Sequence, residues 1–224
     1  MTTLGRLLGA TRQRIGGEPP LPLTVRATFQ RGMSGYQFES LAVTRPRENV
    51  MQVEMNRPEK RNAMNRAFWR EMVECFQAIS AEPYVRAVVV PGAGKMFTAV
   101  IAAVHSACVG GGVDLITACD IRLCTQDAWF QIRQADIGLP ADVGTLQRLP
   151  KVIGNDSLAR ELAFTGRRFN AEEAKQMGLV SGIYPDREAV LEAALDLATT
   201  IVSKSPIAVQ VTKISMVYSR DHSV

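Results

Sequence analysis

The sequence has little of what usually betrays a chemistry. It holds four cysteines, Cys75, Cys108, Cys119 and Cys124, none in a Cys-x-x-Cys pair, and two histidines, His105 and His222. A zinc site needs about four nitrogen or sulfur ligands at characteristic spacing, so no metal centre is expected. Four cysteines in 224 residues also make no disulfide framework, and they read as free thiols in a reducing compartment. No stretch approaches the roughly 18 apolar residues of a membrane span. Acid is nearly missing from residues 1–38, where Arg6, Arg12, Arg14, Arg26 and Arg31 stand against Glu18 alone. The formal net charge of +4 lies entirely in that segment, because the rest carries 21 basic and 21 acidic residues. A neutral body has no electrostatic footprint for nucleic acid, despite the pI of about 9.0.

What is there divides into a leader and a body. An Arg-rich, acid-poor start with the stretch Pro19-Pro20-Leu21-Pro22 has the composition of a mitochondrial transit peptide, the bland alternative being a disordered tail. Residues 1–38 are therefore expected to lie outside the fold, and residues 39–224 to form one α/β domain. Leu41–Thr44 and Val50–Met55 read as strands. Asn65 caps a helix with Phe68, Met72, Phe76 and Ile79 on one face. Val85–Val90 and Val100–His105 are apolar enough for buried strands, and Ile121–Cys124 and Trp129–Ile132 for two more. From Val143 onward helices dominate, with starts at Asn170, Asp186 and Ser205-Pro206.

Three motifs carry chemical information. Gly92-x-Gly94-x-x-Phe97 follows a strand, but the third small residue of a dinucleotide fingerprint is replaced by Phe97, so a plain turn is expected. Gly110-Gly111-Gly112 lies between a buried strand and a helix, where backbone N–H groups can approach a ligand and hold an oxyanion; close strand–helix packing is the alternative. Asp142 lies in an apolar loop, where a carboxylate removed from water makes a base for carbon acids; capping a helix over Val143–Leu149 is the alternative.

Together these segments resemble the enoyl-CoA hydratase/isomerase (crotonase) family. The resemblance rests on Asn56-Arg57-Pro58-Glu59-Lys60-Arg61-Asn62-Ala63-Met64, on Gly92-x-Gly94-x-x-Phe97-Thr98-Ala99, on Ile101–His105, on the glycine triplet and on Thr117–Arg122, in that order. Phe68–Met72 and Ala141–Pro150 look like the branch of the family that shifts two double bonds at once. The resemblance implies a crotonase (ClpP-like) fold of repeated ββα turns, incomplete here, with a helical C-terminal part. It implies an acyl-CoA thioester as substrate, with coenzyme A part of that substrate and no metal or redox cofactor. It further implies action in fatty-acid β-oxidation, in mitochondria or peroxisomes, and assembly into trimers or hexamers. The implied reaction isomerises a 3,5-dienoyl-CoA to its 2,4-isomer.

Carried onto this sequence, the resemblance makes Asp142 the base at C2, the Gly111 N–H an oxyanion donor beside Gly110, and Asp114 a supporting carboxylate. Gln134 falls where that branch has a proton-donating Glu, and an amide cannot supply the proton. Arg57, Lys60 and Arg61 fall at the CoA entrance, Ala63 near the adenine, and Phe97 and Ala99 along the acyl site. Two further departures stand out. The family's Gly-x-Asp, bearing the first oxyanion N–H, is not found after Ala99, and the terminal helices that cover the site are not in the sequence. The face Val190–Ala194–Leu197–Ile201 is accordingly expected to be partly uncovered. A non-catalytic member that binds acyl-CoA or a partner subunit is the alternative, and a plain hydratase a third reading, which Gln134 disfavours.

Overall fold

The computed structural model describes residues 36–60, 62–82, 84–90 and 99–222. The proposed leader lies outside these apart from its last three residues, as do Arg61 and the whole Gly92-to-Phe97 motif. All described residues belong to one compact unit, Gly32–Val224. Tyr36 and Phe38, assigned to the leader from the sequence, stack at 6.3 Å between ring centroids and pack against the core.

Six strands form the main sheet. β1 (Leu41–Arg47) and β2 (Val50–Met55) make an antiparallel hairpin, and β3 (Ala87–Val90) and β4 (Ala99–Val104) add in parallel. β6 (Ile121–Thr125) and β9 (Gly182–Tyr184) complete the order β1-β2-β3-β4-β6-β9. β3 and β4 are buried along their whole length, which is why they read as uninterrupted apolar runs rather than as alternating ones. The period of two nevertheless sorts their side chains. Val88, Val90, Val100, Ala102 and Val104 enter one core, while Ala87, Val89, Ile101 and Ala103 enter the other. A second sheet of three short strands, β5 (Ala107–Val109), β7 (Trp129–Gln131) and β8 (Arg168–Asn170), pairs in that order. β5, β8 and β9 are three residues each, too short to carry a periodicity, and the sequence reading did not include them.

Helices cover both faces of the main sheet. α1 (Arg66–Ser80) starts where expected, with the Asn65 side chain accepting from the Phe68 N–H at 2.8 Å, and buries Phe68, Met72, Phe76 and Ile79 in the first core. α2 (Gly111–Thr117) buries Val113 and Ile116 there too. α3 (Thr145–Ile153), α4 (Asp156–Thr165) and α5 (Ala171–Gln176) follow, and α6 (Arg187–Val202) closes the opposite face. Of the face expected to be partly uncovered, Val190 and Ala194 are 1% and 0% exposed and fill the second core against β3 and β4 with Leu195 and Ala198, while Leu197 and Ile201 are half-buried at its edge. The uncovered apolar surface belongs instead to α7 (Pro206–Tyr218), which has no buried residue and exposes Ile207, Val211, Ile214 and Met216.

Candidate active site

The glycine turn is held by its own backbone. Gly110 has φ +55° and ψ −113°, a conformation that suits only glycine, and its N–H donates to the Gln131 carbonyl at 2.9 Å. Its carbonyl accepts from the Val113 and Asp114 N–H groups, starting α2. Gly111 is thus the first residue of the helix, with an N–H that no intrahelical carbonyl can take. A Cβ on Gly111 would fall 2.9 Å from the Met64 sulfur and 3.8 Å from the Trp69 ring, so these two side chains pack close against Gly111.

Asp114, one turn along α2, is 2% exposed, and both its carboxylate oxygens are occupied. Oδ1 accepts from the Thr145 N–H at 2.9 Å, and Oδ2 from Gln134 Nε2 at 3.0 Å. Gln134 sits in a short 3-10 turn, Arg133–Ile137, with its amide over Gly110; its Oε1 is buried and has no partner. The amide therefore does what a protonated acid would do toward Asp114, which is to donate.

Asp142 lies three residues before the Thr145 N–H that Asp114 holds. It is exposed, not removed from water as the loop composition suggested, and it makes no hydrogen bond or ion pair with a described residue. It caps no helix: α3 begins at Thr145 with Gly144 as its N-cap. Gly144 has φ +113°, which favours glycine, and a Cβ there would fall 2.1 Å from Arg148 Nη1 and displace that guanidinium.

The entrance segment is brought to the same place by Met64. Around the 3-10 turn Pro58–Lys60, the Arg57 N–H donates to Asn62 Oδ1 at 2.8 Å and the Asn62 N–H returns to the Arg57 carbonyl at 2.8 Å. The Arg57 guanidinium folds onto the Ala63 carbonyl, and the Ala63 N–H donates to Lys60. Lys60 and Ala63 are exposed. Ala99 is not brought in. It is a buried strand residue paired with Ala87, and its neighbour Val100 donates to Asp120, just past the C-terminal end of α2. Gly111 starts that helix at its other end. Arg61 and Phe97 lie outside the described residues.

Four residues of the cluster escaped sequence reasoning: Met64 and Trp69 against Gly111, and Thr145 and Arg148 on α3. Arg148 Nη2 donates to the Asp114 and Val143 carbonyls at 2.7 and 3.0 Å, and Nε to Thr117 Oγ1 at 3.2 Å. Burial pulls this guanidinium below its ordinary value, opposed by the nearby Asp114 carboxylate. A glycine directly ahead of a helix with a basic residue one turn in was the available signal. None of the cysteines joins the cluster's chemistry, since all four are free and buried, and burial pushes the Cys108 thiol up to about 12.

Comparison with known proteins gives a consistent picture. The family model for enoyl-CoA hydratase/isomerase matches residues 45–99 and 98–223. The rat mitochondrial Delta(3,5)-Delta(2,4)-dienoyl-CoA isomerase is 47% identical over 282 residues, covering all of this chain and 86% of that protein. Because 282 aligned positions exceed the chain's 224 residues, the rat protein has segments with no counterpart here. The human protein of the same name is 52% identical over 96% of this chain and 83% of its own length. Among solved structures, a probable enoyl-CoA hydratase/isomerase from Mycobacterium abscessus superposes with a TM-score of 0.76 at 31% identity, covering 83% of this chain and 84% of that one.

Proposed function

The chain belongs to the enoyl-CoA hydratase/isomerase family, and we propose that within it the chain is a Delta(3,5)-Delta(2,4)-dienoyl-CoA isomerase of fatty-acid β-oxidation. The observation that carries this reading is the 2.9 Å bond from the Thr145 N–H to Asp114, which ties the loop of Asp142 to the helix that begins at Gly111. A thioester carbonyl hydrogen-bonded to the Gly111 N–H has C2 next to it, and C2 is the acidic carbon of a 3,5-dienoyl chain. Asp142, free of partners among the described residues, takes the C2 proton. The electron pair moves toward the carbonyl oxygen, and the N–H stabilises the enolate, an effect worth several kcal/mol in related acyl chemistry. Re-protonation at C6 leaves double bonds at C2 and C4. The sequence is redox-neutral, and coenzyme A enters as part of the substrate.

Gln134 bears on the last step. It faces Asp114 at 3.0 Å, where a Glu would share a proton with a buried carboxylate and so remain an acid near neutral pH. As an amide it orients Asp114 but has no proton to give to C6. Isomerisation by this chain is therefore expected to be limited at C6 rather than at C2. Turnover of a 3,5-dienoyl-CoA, followed by the absorbance of the conjugated product, tests the reading, and product formation unaffected by Asp142→Asn would sink it. The relatives' names place them in mitochondria, and the Arg-rich, acid-poor residues 1–38 support import of this chain. A reporter carrying that segment and staying cytosolic would refute the import.

A further inference from the structure

Only two links among the described residues join the loop of Asp142 to α2, and one of them has no role in the chemistry above. The first is the Thr145 N–H on the Asp114 carboxylate. The second is Arg148. Its single Nη2 reaches both the Asp114 carbonyl, at 2.7 Å, and the carbonyl of Val143, the residue next to Asp142, at 3.0 Å. Its Nε reaches the Thr117 hydroxyl at the last residue of α2. The guanidinium lies so close to Gly144 that a side chain there would displace it. One rigid fork thus touches α2 at two points and the Asp142 loop at a third, a geometry that a lysine's point charge cannot reproduce.

We infer that Arg148 is a positioning residue: it fixes the loop of Asp142 against the helix of the Gly111 N–H, and so sets the place of the C2 base relative to the enolate oxygen. The inference rests on Asp142 being that base. Such positioning matters because a displacement of about 1 Å in a reacting group can cost roughly 10²-fold in rate.

Proton exchange at C2 of a saturated acyl-CoA in D2O, read by proton NMR, isolates the step. Asp142 takes a proton from C2, the pair is held as the enolate, and a solvent deuteron returns to C2; neither the C6 acid nor a double bond is involved. Arg148→Lys is expected to lower the maximal exchange rate by ~10²-fold, with the half-saturating acyl-CoA concentration and the melting temperature close to those of the unaltered protein. Added guanidinium is expected to restore part of the exchange lost in Arg148→Ala. Exchange by Arg148→Lys at the unaltered rate, with Asp142→Asn silent, overturns the positioning role alone. So does a loss accompanied by a fall in melting temperature and weaker acyl-CoA binding, the pattern of a merely structural contact. Asp142→Asn exchanging like the unaltered protein, or no exchange by the unaltered protein, removes the base assignment beneath it.

Discussion

The two carboxylates of the candidate site lie three residues and one hydrogen bond apart in their settings, yet their surroundings are opposite. Asp114 is on a helix, 2% exposed, with two N–H donors on its two oxygens. Asp142 is on a loop, exposed and without a partner among the described residues. A buried carboxylate satisfied on both oxygens is part of the scaffold, since removing it strands its donors. An exposed and unpartnered one contributes little to stability and is free to take a proton. The difference separates the group that builds the site from the group that works in it, and each variant below tests one side of that division.

The largest effect is expected from the free carboxylate. Asp142→Asn should lower C2 exchange by ~10²–10⁴-fold, the usual worth of a positioned base. It should leave the melting temperature unchanged, because exposed substitutions of this kind stay within about 0.5 kcal/mol. A clear fall in stability would show that Asp142 has a structural partner after all.

Gln134→Glu acts where the two settings meet. Placed 3.0 Å from Asp114, the new acid is held protonated and becomes a donor for C6. The ratio of full isomerisation to C2 exchange should rise by about 10² or more. Using the ratio offsets what the Ala99 side of the site lacks, because both reactions remove a C2 proton with the same base and hold the thioester enolate oxygen at the same N–H. An unchanged ratio would place the limiting step elsewhere.

How much of this was legible beforehand follows from what each element depends on. α1 was readable because Asn65 caps it and its apolar face repeats at helical spacing, both local facts. The buried strands β3 and β4 were readable from their apolar runs. The strands β5, β8 and β9 were not, because three residues carry no period and, unlike Trp129–Gln131 of β7, they do not open an apolar aromatic run; only their partners make them strands. The face of α6 was expected to be partly uncovered, but Val190 and Ala194 are buried against the sheet with Leu195 and Ala198, while Leu197 and Ile201 are half-buried. Amphipathicity says that a face is buried, and not whether a sheet or another helix buries it. In the site, the fold brings Gly111, Asp114 and Gln134 together, three residues to which the resemblance gives roles. It does not bring in Ala99, because strand pairing with Ala87 draws it away. Arg148 was invisible, since its three acceptors come from segments that only the fold brings together.

Among the buried groups, Asp114→Ala should cost the scaffold directly. The Thr145 N–H and the Gln134 amide would lose their acceptor, at ~1–3 kcal/mol for each donor left buried. For a chain of this size each kcal/mol lowers the melting temperature by about 2–4 °C. Activity should fall as well, because the Asp142 loop loses its backbone tie. A variant that keeps its melting temperature would mean that the loop repacks and that burial was no guide to role.

The smallest expected effect comes from a third carboxylate that shares the setting of Asp114 without its place in the site. Glu71 on α1 is 4% exposed and accepts from the Ser40 N–H at 2.8 Å, the Glu39 N–H at 3.0 Å and the Ser40 hydroxyl. Burial disfavours its charge, but the Ser40 and Glu39 hydrogen bonds together outweigh that and hold it below its ordinary value of 4.5. A group whose folded-state value is depressed stabilises the fold above its unfolded value, and that contribution is lost as pH falls toward the folded one. The protein should therefore lose stability as the pH drops below about 4.5. Glu71→Gln should flatten this acid limb and cost ~1–3 kcal/mol at neutral pH, because an amide NH2 then faces a donor. C2 exchange per folded molecule should stay the same. If exchange falls in parallel with stability, a satisfied buried carboxylate is coupled to the chemistry wherever it sits, and the division between building and working groups fails.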